Sequence, residues 1–489
     1  MLFNSLHFAI FFPIVAGLYF LCPYRYRWVL LLVASYYFYM AWIPVYALLL
    51  LASTVLDYTT GLMMGRTESK AARRKYLYLS LAGNLGLLFF FKYYNFFNDS
   101  MRAVCEHFSL TYRMPESHLL LPVGISFYTF QTLGYAIDVY RGVVKPERHP
   151  GIFALYVSFF PQLVAGPIER ASNLLPQFRR TFDFDYQRVT DGLKLMAWGL
   201  FKKVVIADRV AVIVDYVYMH PQNHEGPGLA LATLFFAWQI YCDFSGYSDI
   251  AIGAAQVMGF TLMKNFDRPY WSRSLQELWR RWHISLMTWF RDYVFYSLGG
   301  TRKSLARVAL NLLIVFSITG LWHGAKWTFV IWGLGHGVLL VVSLLTRDVR
   351  QKVAAVLRLD RIPRLHAVWQ VGVTFFMFYY VGVFFRARSV GDALYILKHL
   401  FIGWSDPFRG LGFKEFVFSI GFRTIEDFHI AVLAIIVLET VHYLQSRGPL
   451  RPRLAQKPVW FRWALYYATL LVILGYGVFN DSPFIYFQF

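Results

Sequence analysis

The chain has 489 residues, 57% hydrophobic and 19% aromatic but only 16% charged, whereas about a quarter of a soluble domain is charged. Its net charge of +20 would suggest nucleic acid in a soluble protein. In a chain this apolar it reads instead as Lys and Arg collected in cytoplasmic loops, with no nucleic-acid partner. Uncharged apolar stretches recur, among them Trp28 to Val55, Gly228 to Cys242, Val371 to Phe385 and Ala431 to Leu438. They are continuous rather than alternating, which excludes a β-barrel and predicts an all-α polytopic membrane protein, one domain over 1–489 lying in a lipid bilayer.

In chain order, the opening MLFNSLHFAIFFPIVAGLYFLC lacks a basic start and a small-residue cleavage site, and so predicts a retained first helix. Basic segments follow at 24–27 (YRYR), 65–76 (GRTESKAARRKY), 140–149 (YRGVVKPERH) and 446–462 (SRGPLRPRLAQKPVWFR); each is assigned to the cytoplasm. Between the first two, Pro44 predicts a hairpin of two crossings that turns near Trp42 to Val45. One helix before the first basic segment and one after the last place both termini outside. The number of crossings is then even, about ten to twelve at roughly 20 residues each. LLLPVGISFYTFQTLGYAIDVY and SFFPQLVAGPIER are interrupted by Gly and Pro. Broken helices at membrane depth need protein or a water-filled cavity around them, which predicts re-entrant pieces about a central funnel or tunnel. The cysteines, Cys22, Cys105 and Cys242, are too far apart for a disulfide framework or a zinc signature.

Polar groups sit inside apolar surroundings in YCDFSGYSDIAIG (241–253), where Asp243 and Asp249 flank Ser245, Tyr247 and Ser248. Paired aspartates could couple a cation, as in a transporter, or hold a helix break together by hydrogen bonds. Ser274 to Gly299 predicts one amphipathic helix. SLQE has the form of a capping box, and Leu275, Trp279, Trp282, Leu286, Trp289 and Tyr293 form one apolar stripe with His283 at its edge. The plain reading of His283 is a ring that fills a gap and bonds a backbone carbonyl.

His323 is sharper. From Val308 to Thr346 the only fully charged side chain is Lys326, and an ionisable group at membrane depth is by default a functional hypothesis. Desolvation would keep this imidazole neutral and able to accept a proton, as a general base must. The glycines beside it would let a ligand or another backbone come close. His336 follows 13 positions later. On one continuous helix that is about 19 Å of rise and some 220° of rotation, so the two rings could not share a substrate atom. Either the helix breaks near Gly333 to Gly337 or His336 has a separate structural role. No G-x-S-x-G elbow, Walker loop or G-x-G-x-x-G fingerprint is present.

Taken together, LPVGISFYTFQTLGYAIDVYRG, FFPQLVAGPIER, CDFSGYSDIAIG, NFDRPYW, ELWRRWHISLMTWFRDYVF, GLWHGAKWTFVIWGLGHG and the terminal SPFIYFQF resemble the membrane-bound O-acyltransferase family. Within it the alginate O-acetylating branch is the nearest likeness, with peptidoglycan O-acetylation and teichoic-acid D-alanylation sharing much of the block set. The resemblance implies a tunnel with two catalytic histidines, His323 of the WHG block and His283 of the RRWHISL block. Trp322, His336, Asp243, Ser245, Tyr247 and Arg280 would line or support it. It further implies acetyl-CoA as a cytoplasmic donor substrate with no permanently bound cofactor, a place in the bacterial inner membrane, and a periplasmic SGNH-type partner that passes acetyl to a polysaccharide.

Overall fold

Apolar composition along most of the chain is spent on helices packed side by side. A computed structural model describes residues 1–164, 166–406, 410, 412–479 and 484–485, and among these every regular element is helical. The first helix, Leu6–Leu21, is capped by Ser5, whose Oγ accepts the Phe8 N–H. The expected hairpin follows as Tyr24–Met40 and Ala47–Arg66, separated by a single turn, Pro44–Tyr46. Both interrupted stretches are interrupted as read. Gly124 sits at φ +77° just before the helix Ile125–Arg141, and Pro150–Ser158 gives way at Phe159 to the short Phe160–Leu163. Of the terminal SPFIYFQF block only Phe484 and Ile485 are described.

Among the described residues, six helices are long and apolar enough to cross a membrane: Pro44–Arg66, Leu305–His323, Trp327–Leu345, Pro363–Arg386, Ile425–Ser446 and Val459–Tyr476. The ten to twelve crossings expected from the basic segments would also draw on shorter or more polar helices, such as Leu6–Leu21 and Gly226–Met258. Gly226–Met258 spans 33 residues, yet it carries Gln239, Asp243, Ser245 and Ser248, all buried against protein. A helix wrapped by other helices has no need to be apolar all round, whereas one facing lipid does. The chain is thus an all-α, multi-pass membrane protein.

The paired aspartates do not hold a helix break, because Gly226–Met258 runs through them unbroken. The irregularity lies in the facing chain, where a π-helical segment, Phe201–Ala207, joins Tyr186–Leu200 to Asp208–Met219 and is buried throughout. Its extra residue per turn delivers two adjacent lysines to the aspartates. Lys202 Nζ lies 2.7 Å from Asp249, and Lys203 Nζ lies 2.7 Å from Asp243 and 2.8 Å from Asp208. Removing one member of such a buried group leaves an uncompensated charge and costs about 3–5 kcal/mol. Asp243 also accepts the Ile485 N–H at 2.7 Å, which ties the C-terminal segment to the same network.

Three of the basic segments meet on one face. Arg73 donates to the carbonyls of Val139 and Tyr140 at 2.8 and 2.9 Å, and the Trp28 ring stands edge-on to His149 at 4.8 Å. Arg27 reaches across to the Phe182 carbonyl at 2.7 Å.

Candidate functional site

The expected helix from Ser274 to Gly299 is two helices, Leu275–Arg281 and Ile284–Phe290, followed by a π-helical turn, Arg291–Phe295. Ser274 caps the first as read, accepting the Glu277 N–H; Glu277 reaches back to the Arg273 N–H instead of the cap's own. The apolar stripe is fully buried. It continues across the break because both helices press on the same core.

His283 is the break. Its backbone lies in the left-handed region at φ +41°, ψ +53°, which costs a residue with a Cβ roughly 1–2 kcal/mol and turns the ring inward to 1% exposure. Asn265 fixes its tautomer. The Ser285 N–H can only donate, and it points at Asn265 Oδ1 (3.3 Å), so that atom is the oxygen. His283 Nδ1, 3.1 Å from the same oxygen, must therefore carry the proton. Asn265 is held in turn by Ser248 Oγ at 3.1 Å and by Ser285 Oγ at 2.9 Å. His283 thus bonds a side-chain amide, not the backbone carbonyl of the plain reading. Its Nε2 presents a buried lone pair that no described residue takes up. An imidazole buried this deeply, with no carboxylate on it, is kept neutral.

The run with the other two histidines is not one helix. It breaks at Gly324 to Lys326, earlier than the Gly333 to Gly337 considered above, and forms an antiparallel hairpin of Leu305–His323 and Trp327–Leu345. His323 is the last residue of its helix, 3% exposed. Its ring packs on Trp322 (5.0 Å), Trp332 (5.1 Å) and Phe385 (5.3 Å). Trp322 also lies 5.9 Å from His283, so one indole touches both imidazoles. His336 is fully buried one ring further on, against Trp279 (5.0 Å) and Trp332 (5.1 Å). It stands behind Trp332 from His323.

A narrow apolar pocket opens beside His323, walled by Phe236, Ile240, Trp332, Phe378, Gly382 and Phe385. It has room for roughly one or two water molecules. Asp243, Ser245 and Tyr247 do not reach it. Ser245 accepts from Lys202 at 2.9 Å, and Tyr247 donates to Asn4 at 3.2 Å. The member of their block that meets His283 is Phe244, edge-on at 4.5 Å. Arg280 is exposed on its short helix.

Sequence reasoning passed over Lys92 and Asn265. Lys92 sits in the π-helical turn Phe89–Tyr93 between Lys70–Leu88 and Tyr94–His107. Its Nζ donates to the carbonyls of Trp322 (2.7 Å) and His323 (3.1 Å) and to Ser126 Oγ (3.3 Å). Those carbonyls end a helix, and the Lys92 amine satisfies them as a donor, while burial lowers its pKa to about 7. The signal was present: Lys92 is a lone charge in GLLFFFKYYNFF. We expect Lys92→Met to lower turnover by about ten- to a hundredfold, the worth of a charged hydrogen bond, with Lys92→Arg recovering part of it. An unchanged rate at normal folded yield, measured by acyl transfer on the purified variants, would remove Lys92 from the site.

Comparison with known proteins bears on what such a site does. The membrane-bound O-acyltransferase family profile matches residues 149–387, a span that holds both His283 and His323. The chain is 40% identical over 403 residues to the probable alginate O-acetylase AlgI of Azotobacter vinelandii, covering 81% of this chain and 77% of that one. It is 41% identical over 384 residues to the protein of the same name from Pseudomonas putida, covering 78% and 76%. It is 36% identical over 395 residues to the peptidoglycan O-acetyltransferase of Helicobacter pylori, covering 75% and 72%. The chain belongs to the membrane-bound O-acyltransferase family. It is an O-acyltransferase.

Proposed function

We propose that the protein takes an acetyl group from acetyl-CoA at its basic, cytoplasmic face and delivers it across the bacterial inner membrane for O-acetylation of an alginate-like polysaccharide. The observation that carries this reading is the pair of buried imidazoles on one indole, with a small apolar pocket opening at His323. In the transfer step a hydroxyl oxygen attacks the thioester carbonyl, the C–O bond forms and the C–S bond breaks. His323 takes the hydroxyl proton and returns it to the leaving thiolate. His283 Nε2, with the ring proton committed on Nδ1, accepts from a second O–H of the acceptor molecule or from a bound water, because the one proton of the attacking hydroxyl goes to His323. Both termini face the periplasm, where an SGNH-type partner accepts the acetyl group and passes it to the polymer.

The acceptor is assigned by likeness to the alginate relatives, and the peptidoglycan relative supplies the rival polymer. A transporter of polysaccharide intermediates is the reading from another class. It draws less support, because the paired aspartates are neutralised by lysines and are not left to meet a cation. Purified protein in nanodiscs, given radiolabelled acetyl-CoA with the periplasmic partner and either polymer, is expected to release free CoA and label alginate. Labelling only from an aminoacylated carrier protein would replace this reading with D-alanyl transfer.

A further inference from the structure

A second cavity, of about 170 Å³, opens on the basic face well outside the histidine site. Its wall includes Arg25, Arg27, Arg179, Arg180, His149 and Trp28, and no aspartate or glutamate lines it. Of the four arginines, Arg179 alone pairs with a carboxylate among the described residues, that of Glu147. Arg27 spends its guanidinium on the backbone carbonyls of Cys22 (3.1 Å) and Phe182 (2.7 Å), which fixes its position and leaves its charge uncancelled. Arg25 and Arg180 are exposed at the rim.

Two helices add to the positive field by beginning at this cavity. Tyr24–Met40 starts beside Arg25, and Pro150–Ser158 starts at His149, whose Nδ1 accepts the Ile152 N–H at 3.2 Å. That bond puts the His149 proton on Nε2, where it is a donor. Like charges gathered at two positive helix ends repel unless an anion joins them. Arginine forks, a ring N–H and helix N-termini are the groups that hold phosphate oxygens. Tyr24 and Trp28 at the rim are the aromatic types that settle at the headgroup level of a membrane.

We propose that this cavity is a phosphate-binding site, taking one phosphate mono- or diester. Two molecules present that chemistry to a cytoplasmic face: a nucleotide-type acyl donor, and the headgroup of an anionic phospholipid. The phosphate site rests on the cavity itself, which shares no lining residue with the histidine pocket; only its nucleotide-donor arm rests on the acyl-transfer reading.

The test uses the full-length protein in neutral phosphatidylcholine nanodiscs, titrated with adenosine 3′,5′-bisphosphate or with short-chain phosphatidylglycerol. At least one should bind, be displaced by inorganic pyrophosphate, and bind about tenfold or more weakly in Arg25→Glu/Arg180→Glu. The control pair Lys352→Glu/Lys457→Glu, exposed elsewhere, should bind as the wild type does. Binding of the bisphosphate alone assigns the site to a nucleotide donor, and binding of the lipid alone assigns it to the membrane. Should the charge-reversed pair fail to give monodisperse protein, Arg25→Gln/Arg180→Gln serves in its place. Absence of binding by either ligand in the wild type, or equal affinities in the pocket and control pairs, overturns the proposal.

Discussion

Replacing His323 with Ala is expected to lower acyl transfer by about 10²–10⁴-fold, the range a positioned acid–base group supplies, with the folded yield little changed. The side chain ends its helix and stands at the pocket wall, where its loss removes the proton acceptor. His283→Ala should also be severe. Asn265→Ala should reproduce part of that loss, because the Asn265 oxygen is the nearer of the two groups on His283 Nδ1 and fixes which nitrogen holds the proton. The measurement is initial rate per mole of protein that elutes as a single species. Wild-type rates in His323→Ala together with a silent His283→Ala would mean that the histidine pair is misassigned.

Gly320→Ala is expected to prevent folding, or to destabilise the protein by at least about 3 kcal/mol, the upper range for overpacking. The two arms of the His323 hairpin touch backbone to backbone. A Cβ at Gly320 would sit 2.2 Å from the Phe329 carbonyl oxygen, and one at Gly333 would sit 2.2 Å from that of Phe316. Backbone cannot swing aside as a side-chain tip can, so the arms would have to separate and carry His323 with them. Close approach through small residues is how membrane helices gain contact where lipid is as apolar as leucine. The control is Gly372→Ala, whose Cβ would meet nothing within 4 Å and should leave thermal stability equal or slightly raised. A Gly320→Ala protein as stable as the Gly372→Ala control would contradict the close packing.

These two sites also mark what the residue pattern could and could not tell. His323 was legible because nothing near it in the chain explained an imidazole, and the hairpin around Pro44 was legible because proline lacks the N–H that a helix needs. The break at His283 was hidden. One left-handed residue shifts the helix axis, yet the apolar residues on either side keep facing one core, so the stripe looks continuous. The glycines beside His323 were read as room for a ligand or another backbone; Gly320 faces the opposing backbone at Phe329, while Gly324 faces the Phe329 ring. Asn265 lies 18 positions before His283, and nothing in its spacing announces that it sets a tautomer. Lys92 acts on a helix end more than two hundred positions away, a contact only the fold can supply. The lysine partners of Asp243 and Asp249 were hidden for the same reason, since a π-helical segment is needed to turn both inward.

The most direct test of the central claim, that His323 is the proton acceptor for acyl transfer from one face of the membrane to the other, is a sided transfer assay. Proteoliposomes would hold radiolabelled acetyl-CoA only on the side of the basic segments, with the SGNH-type partner and alginate only on the opposite side. The account predicts labelled polymer on that opposite side with the wild-type protein and background label with His323→Ala. Labelled polymer at the wild-type rate from His323→Ala, or label that appears only when donor and polymer share a side, would contradict it.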